Sequence, residues 1–139
     1  MHHRRPAALA ALSLTAITLL SACGSSKPAY CTQVSNFRNS VKELEKVEVS
    51  PGNISGISAA VQKVGTSAKE VESAVKTEFA PQISAIKGSL AALETSVKEV
   101  VSAPSASTLA HAATVIPPQV EALKKATAEV QDVTKSKCE

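Results

Sequence analysis

Apolar residues recur at every third or fourth position along most of this chain. From Thr32 to Val47 they are Val34, Phe37, Val41, Leu44 and Val47, while Lys42, Glu43, Glu45 and Lys46 fill the opposite face. Such spacing marks a helix with one buried stripe. A second run comprises Ile54, Ile57, Val61, Val64, Ala68, Val71, Val75 and Phe79, and a third Ile83, Ile86, Leu90, Leu93, Val97 and Val100. Projected at about 100° per residue, both runs fall on one stripe about 120° wide. The last region reads Leu109, Ala112, Ala113 and Ile116, then Val120, Leu123, Ala126, Val130 and Val133. No stretch alternates with period two over the length of a strand, so the expected fold is all-α.

Prolines and glycines punctuate the pattern. Ser50-Pro51-Gly52-Asn53 ends the first helix and offers Asn53 as an N-cap for the next. Ser102-Ala103-Pro104-Ser105 ends the third run, with Ser105 or Ser107 available to cap the last region. Pro81 either opens a new helix in its first turn or kinks one long helix, and the stripe is in phase across it. Pro117-Pro118 is likewise a kink or a break. Glu72–Lys76, Glu94–Lys98 and Glu121–Lys125 place Glu four residues before Lys, an order that supports exposed helix faces.

The start of the chain has a different character. Met1-His2-His3-Arg4-Arg5 is basic, and an apolar run from Ala7 to Leu20 comes after it. The run is about 14 residues, short for a membrane-spanning helix, and the order of charge, apolar stretch and small residues is that of a secretory signal. It ends in Leu20-Ser21-Ala22-Cys23, which resembles the lipobox of bacterial lipoproteins. The resemblance implies cleavage between Ala22 and Cys23 and a lipid on Cys23. Residues 1–22 are then a signal peptide, residues 23–30 a Gly/Ser/Lys/Pro tether, and residues 31–139 the folded domain. It also implies a protein held on the extracytoplasmic face of a cell membrane. Two or more acyl chains give stable anchoring where one is marginal. The eight steps from Cys23 to Cys31 span at most about 28 Å.

Removing the leader changes the charge argument. The full chain carries 15 Lys and Arg against 12 Asp and Glu, and Arg4 and Arg5 leave with the signal. The mature part is nearly neutral, without the basic face that nucleic acid requires. With Cys23 committed to lipid, Cys31 and Cys138 remain as an even pair in an exported protein, where disulfides persist. A Cys31–Cys138 bridge would close almost the whole domain, worth about 4–5 kcal/mol as an upper figure in the chain-entropy view. The bridge also informs the topology. In an up-down-up-down four-helix bundle the first start and the last end share one side, whereas three equal helices place them on opposite sides. An antiparallel bundle of four helical segments, broken near Pro51, Pro81 and Pro104, is therefore expected. The alternative is an elongated bundle around a continuous Pro-kinked helix from Asn53 to Val101, about 70 Å long. The compact form is preferred because it buries more apolar area per residue.

Reactive chemistry is sparse. His111 is the single histidine of the mature chain, and a nucleophilic hydrolase needs a base beside its Ser or Cys. One His, two bridged Cys and scattered carboxylates supply no converging metal ligands. The carboxylates in Glu43/Glu45 and Glu70/Glu72 stand two residues apart, do not share a helix face, and are expected to be solvated. Gly52, Gly56, Gly65 and Gly88 are isolated and form no phosphate loop. Tyr30, Phe37 and Phe79 are the only aromatics, too few for the stacking faces of a sugar or single-strand site. Phe37 and Phe79 lie on the apolar stripes and are expected in the core. No catalytic residue, cofactor or metal is expected.

Cys31, the Phe79-Ala80-Pro81 break and Cys138 give the mature chain a likeness to small Ala/Val/Ser-rich lipoproteins of actinobacteria, a resemblance that implies no known activity. The functional expectation is a membrane-anchored, non-catalytic envelope lipoprotein acting as an interaction or scaffold domain toward an envelope protein partner. The alternative is a carrier or sensor that holds a small apolar ligand within the bundle.

Overall fold

The computed structural model describes residues 26–75 and 77–139. The expected signal peptide, Ala22 and Cys23 lie outside these residues. Four α-helices account for most of the described chain: α1 (Tyr30–Glu45), α2 (Ile54–Val75), α3 (Ala80–Ser102) and α4 (Ala106–Cys138). A 3-10 turn, Pro51–Asn53, leads directly into α2. Helices α1 and α2 pack side by side, as do α2 and α3, α3 and α4, and α4 and α1. The ring is closed covalently by Cys31–Cys138, whose Cα atoms are 5.5 Å apart. The fold is thus the compact all-α bundle with an end-to-end disulfide.

The punctuation residues explain where the helices begin. Pro81 sits in the first turn of α3, where its missing N–H has no intrahelical acceptor to lose. It opens a new helix, and the long-rod alternative is overturned. Glu72 of α2 reaches Lys87 of α3 at 2.7 Å, and Gly65 of α2 lies against Leu90 and Glu94 of α3, as only an antiparallel hairpin allows. Ser105 caps α4 in a reciprocal box: its hydroxyl accepts from the Thr108 N–H at 3.2 Å, and the Ser105 N–H donates to Thr108 Oγ1 at 2.9 Å. Asn53 has a different role from a simple cap. Its Nδ2 donates to the Glu48 carbonyl at 3.2 Å and so ties the connector to the start of α2.

Pro117 and Pro118 neither break α4 nor end it; the helix continues through both to Cys138. The carbonyls of Ala113 and Thr114 lose their usual donors there, a cost that packing of the flanking turns must offset.

The core runs the length of the bundle as one cluster. Phe37, Val64, Val71, Leu93, Leu123 and Val130 are fully enclosed at its centre. Near the disulfide the Tyr30 and Phe79 rings meet edge to face, centroids 5.5 Å apart, an arrangement favoured by the ring quadrupoles. Tyr30, expected to end the tether, is instead the first residue of α1 and is buried. The core also contains a polar pair. Ser40 and Ser67 hydroxyls meet at 2.8 Å across α1 and α2, each also within reach of a carbonyl of its own helix, Asn36 or Lys63, so their two protons are shared among three acceptors.

Several stripe positions differ from the sequence reading. Val133 is 40% exposed, whereas Thr134 is 2% exposed. The disulfide sets this phase: Thr134 and Cys138 are four apart and share a face, which turns Val133 outward. The Thr127 and Thr134 hydroxyls are satisfied internally by the carbonyls of Leu123 and Val130 at 2.7 and 2.8 Å. Val47 lies beyond the end of α1 and is half-buried, and Ala113 faces solvent beside buried Ala112. Glu72 and Glu121 find lysines outside the expected i,i+4 spacing. Glu72 pairs across to Lys87, and Glu121 pairs with Lys124 three residues on.

Replacing both Cys31 and Cys138 by Ser should lower unfolding free energy by about 2–5 kcal/mol in denaturant titration, and reducing the wild type should change its gel mobility. Glycines in α2 and α3 should respond to alanine with opposite signs in the same titration. Gly88 has open space where a Cβ would go, so Gly88→Ala should stabilise by about 0.5–1 kcal/mol. At Gly56 an added Cβ would overlap Asn53 Oδ1, so Gly56→Ala should destabilise by displacing the side chain that ties down the connector.

Candidate interaction surface

The helices are unequal, and this shapes the surface. Helix α1 has 16 residues and α4 has 33, or about 24 Å against about 50 Å. Starting together at the disulfide, α1 ends where Glu45 meets Lys124 at 2.9 Å. Beyond that level the connector of residues 46–53 takes over the flank of α4.

The connector fills the space incompletely. It leaves a groove of about 430 Å³ between itself and the proline-containing turn of α4. Val47, Val49, Ile116, Pro117 and Val120 form its apolar surfaces. Glu45, Glu48 and Glu121 stand among its lining residues, which include no lysine or arginine. Lys124 lies just outside, paired with Glu45 and with Glu121 at 3.5 Å. Its ammonium is held above the ordinary lysine range, chiefly by the hydrogen bond to Glu45, then by the charges of Glu121 and Glu45.

A second concavity, about 630 Å³, lies beside the disulfide. Lys27, Arg38 and Lys135 line it together with Asp132 and Glu139, so its charge is mixed. On the neighbouring flank Lys137 pairs with Glu78, which raises the Lys137 pKa by hydrogen bonding and charge, with a smaller contribution from Tyr30. The remaining cross-helix pair, Lys63 with Glu43, bridges α2 and α1. Glu43, Glu45 and Glu72, expected to be merely solvated, therefore each meet a lysine of another helix. These partners are illegible in the sequence because they depend on which helices become neighbours.

Inside the bundle there is little space. The void among Val49, Ile54, Ile57, Val97, Val100, Leu109 and Ile116 measures about 10 Å³, the scale of a single water probe. His111 lies exposed on α4 near Ser107 and Thr108. Among the described residues no three His, Cys, Asp or Glu side chains converge as metal ligands, and no helix is long and apolar enough to cross a membrane. Of the sequence-predicted site residues, Cys31 and Cys138 are brought together, while Ala22 and Cys23 lie outside the described residues.

The lysine pairs carry a pH dependence of definite sign. A folded-state pKa above the unfolded value of about 10.4 contributes stability that is complete below that pH and is lost as pH rises through the folded value. The stability gap between wild type and Lys137→Gln should thus be constant through neutral pH and close above about pH 10.4. Denaturant midpoints across a pH range from about 7 to about 11.5 measure it; the gap should be small, because these pairs are exposed and solvent-screened.

Comparison with models of protein families, with curated proteins and with solved structures finds no match to this chain.

Proposed function

We propose that this chain is a lipid-anchored envelope protein whose helical bundle serves as a non-catalytic interaction domain. The anchor rests on Leu20-Ser21-Ala22-Cys23 and the basic and apolar segments before it. With the chain cleaved before Cys23 and that cysteine acylated, a tether of residues 23–29 precedes α1. The disulfide end of the bundle then faces the membrane and the tips of α3 and α4 point away from it.

The observation that carries the interaction reading is the contrast between a filled interior and a concave exterior. The apolar void in the core is about 10 Å³, whereas ligand pockets occupy about 300–1,000 Å³. A carrier holding an apolar ligand inside this bundle would have to separate packed helices, losing the burial that holds them together. The outer faces need no such opening. They present ion-paired side chains and a rimmed groove to whatever stands beside the protein.

Two measurements test the proposal. Intact-mass analysis of membrane-extracted protein should show a chain starting at Cys23 with acyl mass added, and Cys23→Ala should lack that addition. A wild-type chain that retains residues 1–22 and carries no lipid would refute the anchor. Native extraction should recover a partner that variants with reversed charges on exposed helix faces lose; identical recovery by all variants would refute the interaction domain.

A further inference from the structure

We infer that the groove between the connector and α4 is a docking site for a cationic protein segment that inserts apolar side chains between its Lys or Arg residues. The inference rests on the interaction-domain reading and names the class of partner.

Two features of the groove converge on that occupant. The first is its apolar floor. Val47, Val49 and Val120 are half-buried in the isolated chain, and Ile116 is buried beneath them. Covering the three valines would remove apolar surface from water with little loss of side-chain freedom, because β-branched residues have little to lose. The second is charge. Glu45, Glu48 and Glu121 stand around that floor without a basic residue among the lining side chains. Lys124 answers Glu45 and Glu121, and among the described residues no salt bridge engages Glu48. With Lys124 counted against them, the lining carboxylates are still in excess, and complementary charge favours a basic partner over an acidic one.

The position of the groove argues against a lipid surface as the occupant. Val120 and Cys138 lie 18 residues apart on α4, or about 27 Å along the helix axis. The tether attaches at the disulfide end, so the groove lies that far along the bundle from the point of attachment. An acidic rim would also be repelled by anionic lipid. A second copy of this chain is a poorer fit. Among the described residues the large hydrophobics it exposes are Val101 and Val133, on different helices, too few to interleave with its lysines.

The test uses the full-length protein in its native envelope, with a small diazirine-bearing residue at Ala113 in the groove or, as the remote position, at Ser73 on α2. Ala113 is exposed and Ser73 lies at the open edge of α2. The expected result is an Ala113 adduct whose partner segment, sequenced by mass spectrometry, is rich in Lys or Arg interleaved with apolar residues. Glu48→Lys/Glu121→Lys should abolish the adduct, with helical circular dichroism and the disulfide unchanged. In solution, a synthetic Lys/Leu amphipathic peptide should bind the detergent-extracted protein, and the same double variant should weaken it about tenfold or more, a difference that shrinks with salt. An adduct to lipid, to a second copy of this chain or to a segment without cationic residues would overturn the inference, as would equal peptide binding by wild type and variant. Adducts at Ser73 alone, or at neither position, would sink the groove; the interaction domain stands or falls by the native-extraction comparison above.

Discussion

Cys31 and Cys138 are joined although 107 residues separate them, and that single covalent constraint orders the rest of the molecule. It brings the start of the first helix to the end of the last, and with the helix break at Pro81 it fits an even number of helical passes between the two sulfurs. It also fixes the rotational phase of α4, because the face that carries Cys138 must be the one that meets α1. The burial of Thr134 in preference to Val133 is a direct result. An apolar side chain yields its place to a hydroxyl, which is tolerable because the hydroxyl bonds back to the Val130 carbonyl.

The same constraint makes the difference in helix length matter. Were α1 and α4 equal, the bundle would be flush at both ends. Because α1 stops at Glu45, eight residues of connector have to cover a flank that elsewhere needs a helix. Extended chain and a single 3-10 turn cover it less completely than a helix would, and the groove is what remains. Asn53 and Gly56 hold this arrangement in place from the α2 side. Pro117 lines the same gap, so the weakest helical turn of α4 lies opposite the least regular segment of the described chain.

Much of this architecture is legible in the sequence. The three- and four-residue spacing locates the helical segments, Cys31 and Cys138 stand at the two ends of the helical region as an expected pair, and Pro51, Pro81 and Pro104 mark the breaks. Their stripes place Phe37 and Phe79 in the core. Where the sequence misleads, the reasons are physical. Hydropathy favours Val133 for burial, but a tertiary bond decides the phase. Local propensity leaves Pro117-Pro118 open, because a helix can cross prolines when its two halves are each held by packing. The composition around Tyr30 is that of the tether, yet its ring packs on Phe79, far away along the chain. The groove has no local signature, since it arises from a mismatch between two helices more than sixty residues apart. Cross-helix ion pairs are hidden for the same reason.

The placement of the disulfide at the outset of α1 has a mechanical consequence. Tension applied through the chain ahead of Tyr30 reaches α1 and α4 at the same point, because the sulfurs join them there. The two helices are loaded side by side, and a load applied at the far end would have to slide them past their neighbours. Peeling α1 off residue by residue, the easier failure for a lone terminal helix, is blocked at its first turn.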